Sequence, residues 1–286
     1  MIRICTVAAF VALLGLGASP GARADSWVEF GVGAWHTALS GKVSFPRSGV
    51  PNPQISLDGD LGMSSNWNPM YHFEWHHAIP ILPDVRLEYG TLLADGSNAA
   101  HREFCYGGIL YVADGRLVSQ TALKLARVLF YWNPVDNSVL DLRLGLDFRW
   151  VNLDMSATGT AEVSAGDPFS CAASPRQRPR TSAAPKQTLR EQRSVSAGVV
   201  TWLPQANLGL TVHLPANFDI FFDASGVPYA SSYLYDLRAG VQYRFDFGLV
   251  LTAGYRRWRL HLDNSDWSVN GDVDFRGPYA TLSWNF

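Results

Sequence analysis

The clearest pattern in the chain is an alternation of apolar and polar side chains with a period of two residues. In the segment 139–155, one face carries Leu140, Leu142, Leu144, Leu146, Phe148 and Trp150, and the other carries Asp141, Arg143, Gly145, Asp147 and Arg149. Because successive side chains of a β-strand point to opposite faces, this segment is predicted to be a strand with one apolar and one charged face. It is longer than the roughly 9–11 residues that a tilted strand needs to cross a bilayer.

The same alternation predicts ten strands in all. They are expected at 27–45, 67–79, 84–97, 117–132, 138–156, 196–214, 218–229, 233–246, 248–263 and 273–286. Short connections at 80–84, 134–137, 215–217 and 246–248 alternate with long ones at 46–66, 97–116, 158–193 and 264–272. An all-β chain with this arrangement is typical of a transmembrane, antiparallel up-and-down β-barrel with short periplasmic turns and long extracellular loops. Weak patterning of the fourth and sixth strands leaves eight or twelve strands open.

The two ends of the chain predict an exported outer-membrane protein. Residues 1–24 are expected to be a cleaved signal peptide, because an apolar stretch follows Arg3 and leads to the cleavage site Ala22-Arg23-Ala24. Residues 25–286 then form the barrel. The last strand ends in Trp284 and Phe286, and this ending resembles the C-terminal signal that the outer-membrane assembly machinery reads. A chain without apolar helices can cross a membrane only as a closed barrel.

Composition agrees with a barrel that has one face in lipid and one face in water. The mean hydropathy is −0.01 and aromatic residues make up 13% of the chain, as expected when aromatic girdles flank an apolar band. Without Arg3 and Arg23 the chain keeps 21 basic residues against 25 acidic ones, a net charge of −4. This charge is too mild to indicate a nucleic-acid partner.

Several segments resemble a family of small, uncharacterised proteobacterial outer-membrane barrel proteins. The resemblance is carried by GAWHTALSG (33–41), LDGDLGMSSNWNPMYHFEWHHAIPILPDVRLEY (57–89), LDLRLGLDFRW (140–150), GLVLTAGYRRW (248–258) and FRGPYATLSWNF (275–286). It implies the barrel fold and the outer-membrane location. It implies no activity and therefore no catalytic residue.

Charged residues on the predicted inward faces are expected to form a network in the lumen, because buried charges need partners of opposite sign. The predicted network consists of Glu29, His72, Glu74, His76, Arg86, Glu88, Asp141, Arg143, Asp147, Arg149, Asp236, Arg238 and Arg256. His72, Glu74 and His76 could instead form a metal site or a hydrolytic His/Glu pair. Residues two apart on one strand spread along the barrel axis, so the network is the favoured interpretation, without metal or cofactor.

The long connections hold the other candidate sites. Cys105 and Cys171 could form one disulfide in an oxidising compartment, or remain two thiols. The loop at 158–193 is expected to be poorly ordered, and its cations Arg176, Arg178, Arg180 and Lys186 could contact lipopolysaccharide phosphates or simply be solvated. Acidic residues of the outer loops (Asp58, Asp60, Asp263, Asp266 and Asp272) could bind calcium, although their spacing matches no calcium-binding loop.

Three functions follow from this pattern. The favoured prediction is a structural envelope barrel with a largely closed lumen, because a barrel of about ten strands is near the width that side chains can fill. A narrow channel for small polar solutes or ions is the alternative, and a membrane-embedded hydrolase is a third. Membrane lipid, lipopolysaccharide and the assembly machinery are the expected partners, and the oligomeric state is left open.

Overall fold

The computed structural model describes residues 26–44, 54–79, 81–99, 104–106, 109–111, 116–164, 188–229, 232–262 and 270–286. The strands in these ranges are β1 (Trp27–Ser44), β2 (Ile55–Ser56), β3 (Asn66–His76), β4 (Asp84–Ala99), β5 (Phe104–Tyr106), β6 (Ile109–Tyr111), β7 (Arg116–Asp136), β8 (Leu140–Ser164), β9 (Thr188–Leu214), β10 (Phe218–Tyr229), β11 (Ser232–Arg244), β12 (Leu249–Leu262) and β13 (Asn270–Asn285). No helix in the described ranges is long and apolar enough to cross a membrane. The predicted signal peptide, residues 1–24, lies outside them.

Ten of these strands form one closed antiparallel barrel. Around the barrel the order is β1, β3, β4, β7, β8, β9, β10, β11, β12 and β13, and each strand pairs with the next. The last strand pairs with the first and closes the ring, with Val32 opposite Leu282. The prediction of a ten-stranded up-and-down barrel is therefore confirmed, and the alternatives of eight and twelve strands are wrong.

The outward face of the barrel carries a continuous apolar band. On β8 the outward Phe148 is 41% exposed whereas its inward neighbour Arg149 is 1% exposed, and the outward Trp202 on β9 is 63% exposed. The apolar face of β8 runs from Leu140 to Trp150. At about 3.3 Å per residue and a tilt of about 40°, this length rises about 25 Å, which matches the apolar band of an outer-membrane barrel.

The two ends of the barrel differ. The turn end holds Trp27, Phe286 and the connections 77–83, 137–139, 215–217 and 245–248, and the opposite loop end holds the other connections. In the turn 215–217, Ala216 and Asn217 both have φ of 63°, a left-handed conformation that is uncommon for residues other than glycine. The turn predicted at 134–137 starts later, because β7 continues to Asp136 past an irregularity between Trp132 and Val135.

Above the short strand β3, the segment 54–65 completes the barrel wall. β2 pairs with β1, placing Ile55 opposite Val43, and Met63 forms an isolated bridge to Gly96 on β4. The backbone N–H of Ser64 also donates to the carbonyl of Asp95 at 3.0 Å. This part of the predicted long loop 46–66 therefore belongs to the sheet. The sequence does not predict this, because residues 54–65 show no regular alternation of apolar and polar side chains.

Two strands reach far beyond the apolar band. β8 and β9 stay paired as far as Ser164 opposite Thr188. Residues 158–164 and 188–193, which were predicted to be loop, therefore continue these strands. Residues 165–187 lie outside the described ranges.

Inside the barrel, the lining changes from charged to apolar along the axis. On β8 the inward residues are Asp147 and Arg149 in the turn-end half, followed by Val151, Leu153 and Met155 toward the loop end. The loop-end half is filled by an apolar core that includes Trp35, Leu39, Val43, Ile55, Leu57, Leu61, Leu92, Leu123, Trp258, Leu260 and Phe275. The barrel thus has a core of soluble-protein type in its loop-end half and ion pairs below it.

Replacing Leu57 by Ala tests whether the segment 54–65 belongs to this core. Leu57 is 0% exposed, so the substitution should lower the free energy of unfolding of the refolded barrel by about 2–4 kcal/mol. Urea unfolding followed by tryptophan fluorescence measures the change. The control Ser65→Ala, at an exposed position of the same segment, should leave the midpoint unchanged. Equal midpoints for both variants would contradict the assignment.

Candidate functional site

The structure places all thirteen residues of the predicted charge network on the inner wall of the barrel, in its turn-end half. They come from β1, β3, β4, β8, β11 and β12, and the alternation of these strands aims them inward because the outward positions are apolar. We call these side chains and their inward-facing partners the lumenal network. The distances between them show two clusters that cross the lumen and one that lies at the turn end.

The first cluster joins β7, β8, β11 and β12 through two shared carboxylates. Asp147 accepts from Arg127 Nε at 2.8 Å and from Arg149 Nη2 at 3.0 Å. Arg149 Nη1 reaches across to Asp236 Oδ2 at 2.7 Å, and Arg256 binds the same carboxylate through Nε at 2.9 Å and Nη2 at 2.6 Å. These five residues are at most 6% exposed, so their charges depend on one another for stabilisation.

The second cluster has Glu88 at its centre. Its carboxylate accepts from Arg86 Nε at 2.8 Å, from Arg127 Nη1 at 3.2 Å and from Arg238 Nη1 at 2.8 Å. Glu88 lies on β4 and Arg238 on β11, so this bidentate pair joins opposite walls of the barrel. Planar guanidinium groups suit such shared carboxylates because they donate in two directions at once.

The third cluster lies at the turn end around Glu74 and His76. His76 Nδ1 is 3.0 Å from Asp84 Oδ2, and His76 Nε2 is 2.8 Å from the hydroxyl of Tyr131. That hydroxyl donates to Glu74 Oε1 at 2.5 Å. The ring of Trp27 stacks on His76 with centroids 3.6 Å apart and covers it.

An Asp–His–Tyr–Glu chain of hydrogen bonds could relay a proton, but it presents no reacting atom to a substrate. Tyr131 is 0% exposed and His76 is 4% exposed. His72, the other histidine of the predicted metal or hydrolytic site, instead contacts Glu29 at 3.1 Å and Ser283 at 3.2 Å. In the part of the chain that the structure describes, no group of three or more His, Cys, Asp or Glu residues is placed to hold a metal ion.

Sequence reasoning missed several members of the lumenal network. Arg127, Tyr131 and Asp223 take part in it, and Asp219 binds Arg244 at 2.7 Å near the turn end. Asp219 and Asp223 could have been found, because they alternate with the outward Phe218, Ile220 and Phe222. Arg127 gave no such signal, since its inward neighbours Leu125 and Leu129 are apolar.

A small polar cavity lies between the ion pairs. Its volume is about 70 Å³, and its lining includes Glu29, His72, Arg86, Glu88 and Arg238. A water molecule needs roughly 10–15 Å³ of such a cavity, so there is room for a handful of water molecules. Arg143 lines the cavity as well. The buried Nε atoms of Arg143 and Arg238 have no hydrogen-bond partner in the protein, which favours water over an apolar ligand in the cavity.

The remaining predicted sites are only partly described. Cys171, the loop cations Arg176, Arg178, Arg180 and Lys186, and the acids Asp263 and Asp266 lie outside the described residues, as does the side chain of Cys105. Asp58 is described and accepts from the hydroxyl of Ser56 at 2.6 Å. That hydrogen bond holds the pKa of Asp58 below its usual value.

Comparison with known proteins identifies the fold. No protein-family model matches the sequence, and no curated protein sequence is similar to it, so the resemblance to a particular barrel family stays a prediction. The crystal structure of the outer membrane protease OmpT from Escherichia coli superimposes with a TM-score of 0.58 and 9% identity, covering 91% of this chain and 97% of that one.

Two further solved structures are more distant in shape. The toluene transporter TodX from Pseudomonas putida has a TM-score of 0.32 and 10% identity, with 96% and 94% coverage of this chain and that one. The attachment invasion locus protein Ail from Yersinia pestis has a TM-score of 0.30 and 12% identity, with 92% and 99% coverage. The likeness to OmpT shows that the chain has the fold of a bacterial outer-membrane β-barrel.

Replacing Asp236 by Asn tests the first cluster. The substitution removes the carboxylate that Arg149 and Arg256 share. Arg149 keeps its bond to Asp147, but Arg256 loses the carboxylate that binds it, so the free energy of unfolding should fall by about 3–5 kcal/mol. Urea unfolding of the refolded barrel measures the loss. Asp246→Asn is the matched control, because Asp246 is exposed and accepts a hydrogen bond from Asn217. Equal stability of the two variants would contradict the dependence of this cluster on Asp236.

Proposed function

We propose that the protein is a structural barrel of the bacterial outer membrane whose lumen is closed to solutes. The location is supported by the apolar outward band about 25 Å tall and by the fold likeness to an outer-membrane protein. Aromatic side chains on the outer surface toward the two ends, such as the exposed Trp75, Trp202 and Trp284, suit the two membrane interfaces. The loop end is then extracellular and the turn end periplasmic.

The observation that carries the closed lumen is the ion-pair chain Asp147–Arg149–Asp236–Arg256. Its members come from β8, β11 and β12, and each is at most 6% exposed. A solute on the barrel axis would have to displace these side chains from their partners. Separating a buried ion pair leaves an uncompensated charge and costs about 3–5 kcal/mol.

A second barrier lies toward the loop end. There the apolar core, with Trp258, Phe275 and Leu123 all 0% exposed, occupies the lumen above the ion pairs. An ion that passed the first barrier would meet a region packed mainly with apolar side chains, where its burial is strongly unfavourable. Two barriers of different chemistry in series support a closed barrel over a narrow channel.

The hydrolase alternative gains no support from the geometry. OmpT is a protease, but at 9% identity its likeness to this chain concerns the fold alone. His72 and His76 are buried and each is held by its own carboxylate partner. The exposed Trp284 and Phe286 at the end of the closing strand suit contact with the outer-membrane assembly machinery during folding.

Planar-bilayer recordings test the proposed function directly. The protein should fractionate with outer membranes, and after refolding and insertion it should give no conductance steps, because both halves of the lumen are filled. Quenching of the outward tryptophans by brominated lipids verifies insertion, and a porin in the same bilayer serves as the positive control. Discrete ion-selective steps would contradict the closed lumen, and recovery in a soluble fraction would contradict the location.

A further inference from the structure

A group of cationic and aromatic side chains lies on the outer surface of the barrel at the loop-end edge of the apolar band. This basic patch consists of Lys42 on β1, Tyr233 and Tyr235 on β11, Arg257 and Arg259 on β12, and Arg276 on β13. Its members face outward because they are in register with lipid-facing residues of the same and neighbouring strands. Arg257, for example, lies opposite the outward Leu237 on β11. They are therefore separate from the lumenal network.

The position of the basic patch along the barrel axis is set by its neighbours. Arg257 lies two residues beyond Tyr255, which is 52% exposed, and Arg276 lies two residues beyond the exposed Pro278. Two residues of strand span about 6.5 Å. Arg257 and Arg276 therefore follow directly on the last apolar outward residues of their strands, where the outer surface changes from apolar to charged, as expected at the boundary between hydrocarbon and lipid headgroups.

The two central arginines are held in fixed orientations. Arg257 binds Asp274 through Nε at 3.0 Å and through Nη2 at 2.5 Å, and Arg259 binds Asp272 through Nη2 at 3.1 Å. The guanidinium of Arg257 also lies 5.9 Å from the ring centroid of Tyr235. The bonds of Arg257 to Asp274 use only two of its three guanidinium nitrogens, so Nη1 can donate to a further acceptor.

The charge of the patch is positive although carboxylates lie in it and beside it. Lys42, Arg257, Arg259 and Arg276 carry four positive charges. Asp272 and Asp274 carry two negative charges, and Asp58, which interacts with Arg276, carries a third, so the net charge of these residues is +1. On the other side of the barrel, the outward polar residues beyond the band include Asp95, Lys124 and Asp154, which together carry −1. The excess of cations is thus local to β1, β12 and β13.

We propose that the basic patch binds the phosphate groups of a phosphorylated lipid of the outer leaflet, whose acyl chains pack on the apolar band below. This inference rests on the proposed outer-membrane location. Oriented guanidinium groups match phosphate because they donate two parallel hydrogen bonds. Tyrosines at the same level suit the boundary between hydrocarbon and headgroups. The site differs from the loop cations at 176–186, which lie outside the described residues.

Native mass spectrometry of the full-length barrel refolded in detergent tests the proposal, with bis-phosphorylated lipid A as the probe. The variant Arg257→Gln/Arg259→Gln should bind it about 25-fold more weakly, since each basic residue near a membrane surface contributes roughly fivefold. Arg244→Gln is the matched control, because Arg244 is also half-exposed and bound to an aspartate, but lies at the turn end. Its affinity should equal that of the wild type.

Further arms separate the possible causes of binding. Dephosphorylated lipid A should bind the wild type as weakly as bis-phosphorylated lipid A binds the glutamine variant, and inorganic phosphate alone should not compete at millimolar concentration. Arg257→Lys/Arg259→Lys, which keeps the charge but loses the planar groups, should bind with intermediate affinity, and it serves as the test if the glutamine variant does not fold.

Two results would overturn the inference without affecting the proposed function. One is equal affinity of an inserted, folded wild type for the phosphorylated and dephosphorylated lipids. The other is an equal loss of affinity in the Arg244 control. A wild type that does not insert into bilayers at all would instead contradict the proposed function itself.

Discussion

Pairing of charges across the lumen is the interaction on which the turn-end half of this barrel depends. Eight strands aim charged side chains into a space too narrow to hydrate all of them, so each charge needs a partner of opposite sign. Glu88 and Arg238 meet this need from opposite walls, and Arg149 and Asp236 meet it from strands that are not neighbours. The shared carboxylates tie the walls together and at the same time close the passage between them.

The loop-end half solves the same problem with different chemistry. Beyond Trp150 the strands leave the apolar band, and the inward residues become Val151, Leu153 and Met155. There the wall faces water on its outside, so an apolar interior can drive folding as it does in a soluble protein. The short strand β3 would leave a gap in this wall, and the segment 54–65 fills it with Ile55 and Leu57 turned inward.

The strands within the apolar band could be predicted from the sequence because lipid requires every second residue to be apolar, as between Leu140 and Trp150. The extension of β8 to Ser164 could not, because beyond Trp150 the apolar residues switch from the outward to the inward face, which interrupts the alternation that marks a lipid-facing strand. The inward placement of charges followed from the same alternation, but their partners did not. Arg238 and Glu88 are 150 residues apart in sequence, and only the closed ring brings them together.

A double-mutant cycle on Glu88 and Arg238 tests most directly whether charge pairing across the lumen holds the barrel together. The free energy of unfolding would be measured for Glu88→Gln, Arg238→Gln and the double variant. We predict a coupling energy of about 2 kcal/mol, with the double variant less destabilised than the sum of the two single variants. Effects that add to within about 0.5 kcal/mol would contradict the account, because the two walls would then be stabilised independently.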